Sequence, residues 1–267
     1  MISNMNRITS RKNKYIMHLR ALSRDRAYRV QSGEFLCDGS KLFKEALTFN
    51  AKITSVLWKD NFPADADDCA DCAGVIGLGE DIAQYTAPGD LFDYASPMPN
   101  SPGPLFTVRI PDKADLFASD KILVLENVQD PGNVGTVIRT ANAFLIDAVI
   151  LTGACADPYN PKSVRASMGA IYRQPVFSMT TEEMKQLFCR NGLPLYGAAL
   201  HRDSQDIRRV DFSHAAVAIG SEGRGLTEEF LNTCEATVLI PMNAESESLN
   251  AAQAAAIMMW EMRRDFL

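Results

Sequence analysis

The sequence predicts an α/β protein made of two successive domains, and three observations support this prediction. Short apolar strands alternate with amphipathic helices along the chain, which is typical of α/β architectures. The segment 121–125 is an almost unbroken apolar run, as expected for a strand that is buried on both faces of a parallel sheet. The 267 residues, 46% of them hydrophobic, are enough for two separate cores. A short linker near 111–119 sets the expected domains at 1–111 and 119–267.

The first domain is expected to form a small α/β layer. Helix Asn13–Leu22 has an apolar face that contains Ile16 and Leu19. Its basic residues, among them Lys14 and Arg20, are expected to point away from that face. The elements predicted after it are the strand Glu34–Cys37, the helix Lys41–Phe49, and the strands Ile53–Trp58, Val75–Leu78 and Leu105–Ile110.

The second domain shows βαβ alternation, which predicts a mostly parallel sheet with helices on both faces. A loop over 126–135 follows the first strand. The predicted elements are the strand Lys121–Leu125, the helix Thr136–Phe144, the strand Ala148–Thr152, the helices Ser163–Ile171 and Thr181–Asn191, the strands Leu195–Leu200, Ala215–Ile219 and Thr237–Ile240, and the helix Leu249–Met262.

The last two strands each end in a polar loop, and such loops at the carboxyl ends of parallel strands bind ligands in α/β proteins. The first loop contains three glycines within 220–225, which allow a ligand or another backbone to approach closely. Glu222 is its one carboxylate. In the second loop, Ser248 and Asn250 flank the start of the final helix, where they are able to cap it or to face a ligand.

Several classes of protein are excluded or disfavoured by missing patterns. The segment 130–135 offers only two glycines and a proline, so it does not match a dinucleotide-binding loop, and the chain has no phosphate-loop motif. His18, His201 and His214 are far apart in the sequence and outside the two loops. We therefore expect surface or helix-end histidines, with neither a metal cluster nor a serine triad.

No apolar run is long enough to cross a membrane, and we expect a cytoplasmic protein. The six cysteines are scattered along the chain, which favours reduced thiols over a disulfide framework. Cys69 and Cys72 form a lone C-x-x-C in an acidic loop. A zinc or redox role for this pair needs further ligands or a thioredoxin-like strand, so we interpret the pair as a chance occurrence.

The net charge of −6 conceals a basic segment at the start of the chain. Residues 1–30 contain eight Lys and Arg residues and a single acid, Asp25. This segment is either a solvated tail or a surface that contacts a polyanion such as RNA.

Three motifs resemble those of the SpoU/TrmH family of RNA 2′-O-ribose methyltransferases. They are NVQDPGNVGTVIRTANAF at 127–144, GSEGRGLT at 220–227, and IPM at 240–242 followed by ESLNAAQAAAI at 247–257. Their order and spacing are those of the family, which makes the signal stronger than any single motif. The resemblance implies a parallel-sheet SPOUT domain with a C-terminal trefoil knot, the cofactor S-adenosyl-L-methionine, and a homodimer.

By the same resemblance, Arg139 is the proposed catalytic arginine. A ribose 2′-hydroxyl is a poor nucleophile, so its proton must be removed or its oxyanion stabilised. Because arginine side chains stay protonated in proteins, we expect Arg139 to orient the ribose and phosphate and to stabilise the oxyanion. The alternative is a structural salt bridge to Glu126 or Asp130.

The other catalytic candidates are Asn133, Glu222, Ser248 and Asn250. Asn133 is expected to hold its loop or to bind the ribose. Glu222 either anchors Arg139 or an amide or accepts the proton. Ser248 and Asn250 order the helix start and the substrate edge, or only cap the helix. The family positions that hold the cofactor, mostly through the main chain, match Gly220, Ile240, Leu249, Met242 and Leu200.

The first domain resembles the ribosomal-protein-like RNA-binding domain found at the front of many such enzymes. Gly33 and Gly39 fit its pattern, and Asp38 replaces a more frequent Glu. The expected RNA contacts are Arg7, Arg11, Lys12, Lys14, Arg29 and Arg165.

The sequence departs from the family pattern at two places. Leu145 stands where glycine is usual, and Ala-Ala-Gln at 251–253 replaces a more usual Val-Ser-Val. The resemblance favours ribosomal RNA as the substrate. Transfer RNA methylation and an RNA-binding homologue without activity remain open, as does a nucleotide-dependent enzyme, although the missing NAD(P) fingerprint argues against the last.

Overall fold

The computed structural model describes residues 6–60, 82–112, 116, 119–201, 203–243 and 248–264. The predicted strand Val75–Leu78 and the pair Cys69 and Cys72 lie outside these residues. By its internal contacts the chain divides into two compact units. The first consists of Met1–Asp112 and Tyr159–Tyr172, and the second of Lys113–Pro158 and Arg173–Leu267.

The first unit contains a five-stranded mixed sheet in the order β1-β4-β3-β5-β2, in which β5 is antiparallel to both of its neighbours. Its elements along the first stretch of chain are β1 (Asn6–Arg7), α1 (Lys14–Arg24), α2 (Arg26–Ser32), β2 (Glu34–Asp38), α3 (Ser40–Thr48), β3 (Ile53–Lys59), β4 (Ala83–Ala87), α4 (Gly89–Ala95) and β5 (Leu105–Arg109). The strands β1 and β4 and the helices α2 and α4 were not predicted. Most of them are short or only half-buried, so their apolar periodicity is weak.

Helix α1 buries its predicted apolar face, which contains Ile16, Leu19 and Leu22. Arg20 is not one of the buried residues of this face, but its side chain packs within the unit instead of extending into solvent. Its guanidinium donates a 2.6 Å hydrogen bond to the carbonyl of Tyr94 and lies 3.8 Å from the centre of the Tyr94 ring. A cation stacked on an aromatic ring belongs to the packing of this unit.

The second unit contains a seven-stranded sheet in the order β10-β12-β9-β11-β6-β7-β8, and every pair of strands in it is parallel. The predicted parallel sheet is therefore confirmed. Its elements are β6 (Lys121–Glu126), α5 (Pro131–Ala143), β7 (Ala148–Thr152), β8 (Val176–Ser178), α7 (Thr181–Asn191), β9 (Leu195–Ala198), β10 (Gln205–Asp206), β11 (Ala215–Ile219), α8 (Glu228–Leu231), β12 (Ala236–Leu239) and α9 (Ala251–Arg263). The helix α6 (Pro161–Ser167) and a 3₁₀ turn at Ala170–Tyr172 belong by their contacts to the first unit.

Both faces of the parallel sheet are covered by helices. On one face, Ile122 and Val124 of β6 pack in a core with Met184 and Phe188 of α7. The alternate residues of β6 are also buried, and on that side α9 contacts β6 and β11. No described helix has the length and apolar character of a membrane span.

Helix α5 begins five residues earlier than predicted, and this changes the setting of Asn133. The carboxylate of Asp130 caps the helix by accepting a 2.7 Å hydrogen bond from the backbone of Gly132, and Pro131 occupies the first turn. Asn133 and Gly135 therefore lie in the first turns of a helix instead of in a loop. The side-chain directions in this segment are consequently fixed.

Candidate active site

The loop after β11 is a tight turn that closes on its own backbone. Ser221 and Gly225 exchange two backbone hydrogen bonds of 3.1 and 2.8 Å. A Cβ atom at Gly220 would lie 2.0 Å from the backbone carbon of Gly225. The close approach predicted at Gly220 is thus made by the loop itself. At Gly223 a Cβ atom would meet open space.

A buried carboxylate holds the far end of this turn. Glu126, at the end of β6, accepts a 2.8 Å hydrogen bond from the backbone N–H of Thr227 and a 2.7 Å hydrogen bond from its hydroxyl. The turn is therefore fixed to the neighbouring strand as well as to itself. This rigidity positions the residues displayed at its tip.

Three of the predicted catalytic residues meet at one carboxylate oxygen. Asn133 and Asn250 both donate from their side-chain amides to Oε1 of Glu222. The amide nitrogen of Asn250 is also 3.3 Å from Oδ1 of Asn133. Three segments that are far apart in the sequence are thereby joined, and the partners of Glu222 are amides and not Arg139.

Asn250 has a second role at the start of α9. Its Oδ1 accepts hydrogen bonds of 2.9 and 3.3 Å from the backbone N–H groups of Ala252 and Gln253, so Asn250 caps the helix. Ser248 is exposed and is not the capping residue. One asparagine therefore couples the orientation of α9 to the position of Glu222.

Arg139 is exposed on α5, and none of the described residues accepts a hydrogen bond or forms an ion pair with its guanidinium. The alternative of a structural salt bridge to Glu126 or Asp130 is therefore wrong. Glu126 instead binds Thr227, and Asp130 caps α5. Arg139 follows Asn133 by about 1.7 helical turns, so the two side chains leave different sides of the helix.

A cavity of about 460 Å³ lies next to Glu222. Its lining includes every residue that we expected to hold the cofactor, namely Gly220, Ile240, Leu249, Met242 and Leu200. Glu222 and Ser248 also line it. The remaining walls come mainly from the ends of β9, β11 and β12 and from α9, so the cavity lies at the carboxyl edge of the parallel sheet, where ligands are expected.

His201 and Arg224 also line this cavity, and we did not anticipate either of them. His201 lies outside the two loops, as expected, but it lines the same cavity as they do. The sequence places His201 directly after Leu200, a predicted cofactor residue, but its approach to the cavity depends on the order of the strands in the sheet. The other two histidines have structural partners. His18 is hydrogen-bonded to Tyr28 and Glu34, and His214 to Asp120.

The basic residues predicted to contact RNA differ in their exposure and in their partners. Arg29 is only 3% exposed and donates to the carbonyl of Leu22, so its guanidinium is not available to RNA and that prediction is wrong. Arg7 is exposed but forms a 2.6 Å ion pair with Asp60. The residues Arg11, Lys12, Lys14 and Arg165 are exposed.

The four cysteines that the structure describes are free thiols. Burial raises the pKa of Cys37 and Cys155, and it raises the pKa of Cys234 to about 11. Thiols with raised pKa values are poor nucleophiles and metal ligands at neutral pH. Within the described part of the chain no group of three or more His, Cys, Asp or Glu side chains is arranged to hold a metal ion.

The SpoU rRNA Methylase family model matches residues 120–260, which contain all three motifs and the entire cavity. The chain belongs to this family. An uncharacterized tRNA/rRNA methyltransferase of Synechocystis is 31% identical over 99% of this chain and 96% of its own length. The 23S rRNA (guanosine(2553)-2′-O)-methyltransferase RlmP of Bacillus subtilis is 29% identical over 97% of this chain and its full length.

A solved structure gives the same result for the fold. The AdoMet-bound rRNA methyltransferase of Sinorhizobium meliloti superimposes with a TM-score of 0.83 at 27% identity, over 98% of this chain and 99% of that one. The family membership also clarifies one departure in this sequence. Leu145, where the resemblance leads us to expect glycine, has a backbone φ of 54°, in the left-handed region that favours glycine.

Proposed function

We propose that the protein transfers a methyl group from S-adenosyl-L-methionine to the ribose 2′-hydroxyl of a nucleotide in ribosomal RNA. The observation that carries this proposal is the convergence of Asn133 and Asn250 on Glu222 beside the cavity. The motif residues of the family thus form one site instead of three separate loops. The names of the relatives, which include an rRNA 2′-O-methyltransferase, agree with this chemistry.

The cavity fits the cofactor in size and in lining. Its 460 Å³ lies within the range of about 300–1,000 Å³ that is usual for small-molecule sites. Apolar side chains such as Leu249 and Met258 can cover the adenosine, and the turn at 220–225 offers backbone N–H and C=O groups for its polar atoms. When bound, S-adenosyl-L-methionine supplies an electrophilic methyl group on a sulfonium.

The protein side chains then have separate tasks. Oε1 of Glu222 accepts from two amides, so we assign to Glu222 the positioning of Asn133 and Asn250 at the substrate edge. Arg139 is exposed and its guanidinium has no hydrogen-bond or ion-pair partner among the described residues, and a planar guanidinium can bind a phosphate and a ribose oxygen together. We therefore assign to Arg139 the orientation of the ribose and the stabilisation of the 2′-oxyanion.

We assign residues 1–111 to RNA binding and residues 119–267 to methyl transfer. The exposed cations Arg11, Lys12 and Lys14 support the first assignment, because phosphate contacts from Lys and Arg dominate affinity for nucleic acids. The trefoil knot is part of this proposal. It is supported by the strand order, in which the late strand β12 pairs with β9 while the following helix α9 packs on α5. We also assign the protein to the cytoplasm.

The proposed enzyme is a homodimer that associates through α5 and α9. Trp260 of α9 is 51% exposed and packs against Phe144 at the end of α5, and Leu145, which follows Phe144, and Ile257 of α9 are also exposed. Exposed apolar side chains at this density mark protein interfaces. Trp260→Glu should give a monomer by light scattering, whereas Val30→Glu, at an exposed position in the first unit, should leave the mass unchanged. Dimeric Trp260→Glu protein would contradict this interface.

The function is tested by incubating the protein with S-adenosyl-[methyl-³H]methionine and either ribosomal or transfer RNA. We expect incorporation into ribosomal RNA, with the label in alkali-stable dinucleotides, because a 2′-O-methyl group protects the adjacent phosphodiester. Label in base-modified mononucleotides would contradict ribose methylation. Incorporation into transfer RNA alone would identify the other substrate class, and no incorporation into either RNA would indicate a homologue without activity.

A further inference from the structure

The first unit contains a second cavity, of about 220 Å³, which the proposed methyl transfer does not use. It lies at the end of β2, beside the segment 97–99 and the helix α6. Leu36, Leu42 and Val164 contribute apolar walls, and the charged residues that line it are Asp38, Lys162 and Arg165. A ligand with a flat apolar ring and polar atoms along its edges would fit these apolar walls and charged side chains.

Asp38 is fixed in one orientation. One of its carboxylate oxygens accepts a 2.6 Å hydrogen bond from the hydroxyl of Ser96, and the other accepts one from the hydroxyl of Ser101. Burial raises the pKa of this carboxyl, and the two serine hydrogen bonds oppose that rise. A carboxylate has about four acceptor sites, so each oxygen can still accept a further hydrogen bond from a ligand.

Arg165 supplies donors to the same cavity. Its guanidinium is exposed, and among the described residues its one hydrogen-bond acceptor is Sδ of Met98 at 3.2 Å. A thioether is a weak acceptor, so most of the guanidinium N–H groups are available. Arg165 and Asp38 line one cavity without forming an ion pair; burial raises the pKa of Asp38, and the positive charge of Arg165 opposes that rise in part.

Separated donors and acceptors of this kind are complementary to guanine. Guanine presents N1–H and N2–H₂ as adjacent donors, which match a carboxylate, and O6 and N7 as adjacent acceptors, which match a guanidinium. Adenine offers a carboxylate only its N6 donors and offers a guanidinium no adjacent pair of acceptors. The apolar walls can contact the face of either base, so the two charged side chains provide the discrimination.

We infer that this cavity binds one guanine nucleotide, with Asp38 accepting from N1–H and N2–H₂ and Arg165 donating to O6 and N7. From the sequence, Arg165 is expected to contact RNA, and the cavity assigns that contact to a base edge. The guanine belongs either to an unpaired nucleotide of RNA or to free guanosine monophosphate. In the first case the inference rests on the proposed function.

The test measures binding to the full-length protein without S-adenosyl-L-methionine. Fluorescence anisotropy compares two labelled single-stranded RNAs, oligoadenylate with one central guanosine and the same oligoadenylate without it. Because both RNAs carry the same phosphates, contacts from other basic residues cancel. We expect the guanosine to tighten binding by about tenfold or more, as one bidentate base contact does. Guanosine monophosphate should compete, and adenosine monophosphate should not.

Two variants locate the preference. In each of the variants Arg165→Gln and Asp38→Asn, the dissociation constants of the two RNAs should differ by no more than about twofold. Arg109→Gln is the matched control, because Arg109 is an exposed arginine of the same unit that does not line the cavity. Thermal melting followed by circular dichroism verifies that the variants are folded. Since Arg165 is exposed, its variant keeps the test valid even if Asp38→Asn unfolds.

Each outcome decides a separate question. Equal binding of both RNAs with no competition by guanosine monophosphate would overturn the inference, and so would a preference that survives Arg165→Gln. Binding of guanosine monophosphate without any preference in RNA supports the site and identifies the free nucleotide as its ligand. Methyl transfer is measured independently, so a preference for guanosine without transfer would contradict only the proposed function, and transfer without the preference would contradict only this inference.

Discussion

The candidate active site and the basic segment at the start of the chain were both identified from the sequence, but they differ in how their residues are used. At the site, Asn133 and Asn250 come from distant segments and bind the same oxygen of Glu222. In the basic segment, Arg29 is buried against a carbonyl, whereas Lys14 remains exposed. A motif specifies residues that contact each other. A count of charges does not distinguish cations that stabilise the fold from cations that can bind RNA.

The largest effect on cofactor binding is expected from a substitution in the turn at 220–225, whose backbone packs against itself. Gly220→Ala places a Cβ atom about 2.0 Å from the backbone of Gly225, so the turn cannot keep its conformation. We expect binding of S-adenosyl-L-methionine, measured by isothermal titration calorimetry, to be lost. Gly223→Ala is the control for this substitution, because its Cβ atom has open space, and it should bind within a few-fold of the wild type. Equal affinities in the two variants would mean that the turn does not form part of the cofactor site.

The next effect concerns the carboxylate that joins the three segments. Glu222→Ala removes the shared acceptor and should lower the methylation rate by about 100-fold, the size of effect seen when one preorganised polar group is removed. Glu222→Gln retains a carbonyl oxygen that can accept from Asn133 and Asn250, and it should recover much of the rate. If Glu222 instead takes the proton from the ribose, then Gln should be as poor as Ala, and our assignment of a positioning role would be wrong.

Smaller effects are expected from substituting two basic residues of the first unit, one of which should change stability and the other RNA binding. Arg29→Met leaves the carbonyl of Leu22 without this donor in the interior and should reduce the free energy of unfolding by about 1–3 kcal/mol. Lys14→Gln should leave the stability unchanged and weaken RNA binding by a few-fold, with a shallower salt dependence. Urea denaturation and filter binding at several salt concentrations measure the two quantities. If folded Arg29→Met protein lost as much RNA affinity as Lys14→Gln does, the distinction between cations that stabilise the fold and cations that bind RNA would be wrong.

The parts of the fold that follow from apolar periodicity were predictable. The strand Ala215–Ile219 and the capped helix Thr181–Asn191 have the predicted boundaries, because five buried residues in succession and a Thr cap with Glu183 leave little ambiguity. The start of α5 was missed, because a glycine- and proline-containing segment reads as a loop unless the Asp130 cap is recognised. β10, which has only two residues, provides no periodicity at all.

The candidate site was predictable to a different degree. The positions that line the cavity followed from the family resemblance, as did the catalytic candidates, whose roles stay predictions. The hydrogen bonds among Asn133, Glu222 and Asn250 did not follow from it, because contacts between loops depend on how the strands are ordered in the sheet. His201 was missed for the same reason. Its approach to the cavity depends on β9 lying between β11 and β12.

The central claim is that the cavity holds the cofactor while Arg139 acts on the RNA. It is tested most directly by measuring the affinity for S-adenosyl-L-methionine and the methylation rate on the same preparation of Arg139→Ala, with the exposed Arg190→Ala as a control. We predict an affinity within a few-fold of the wild type and a rate that is lower by about 100-fold or more. Arg139→Lys should be nearly as slow, since it lacks the planar guanidinium. Loss of cofactor binding in Arg139→Ala, or a full rate in that variant, would contradict the account.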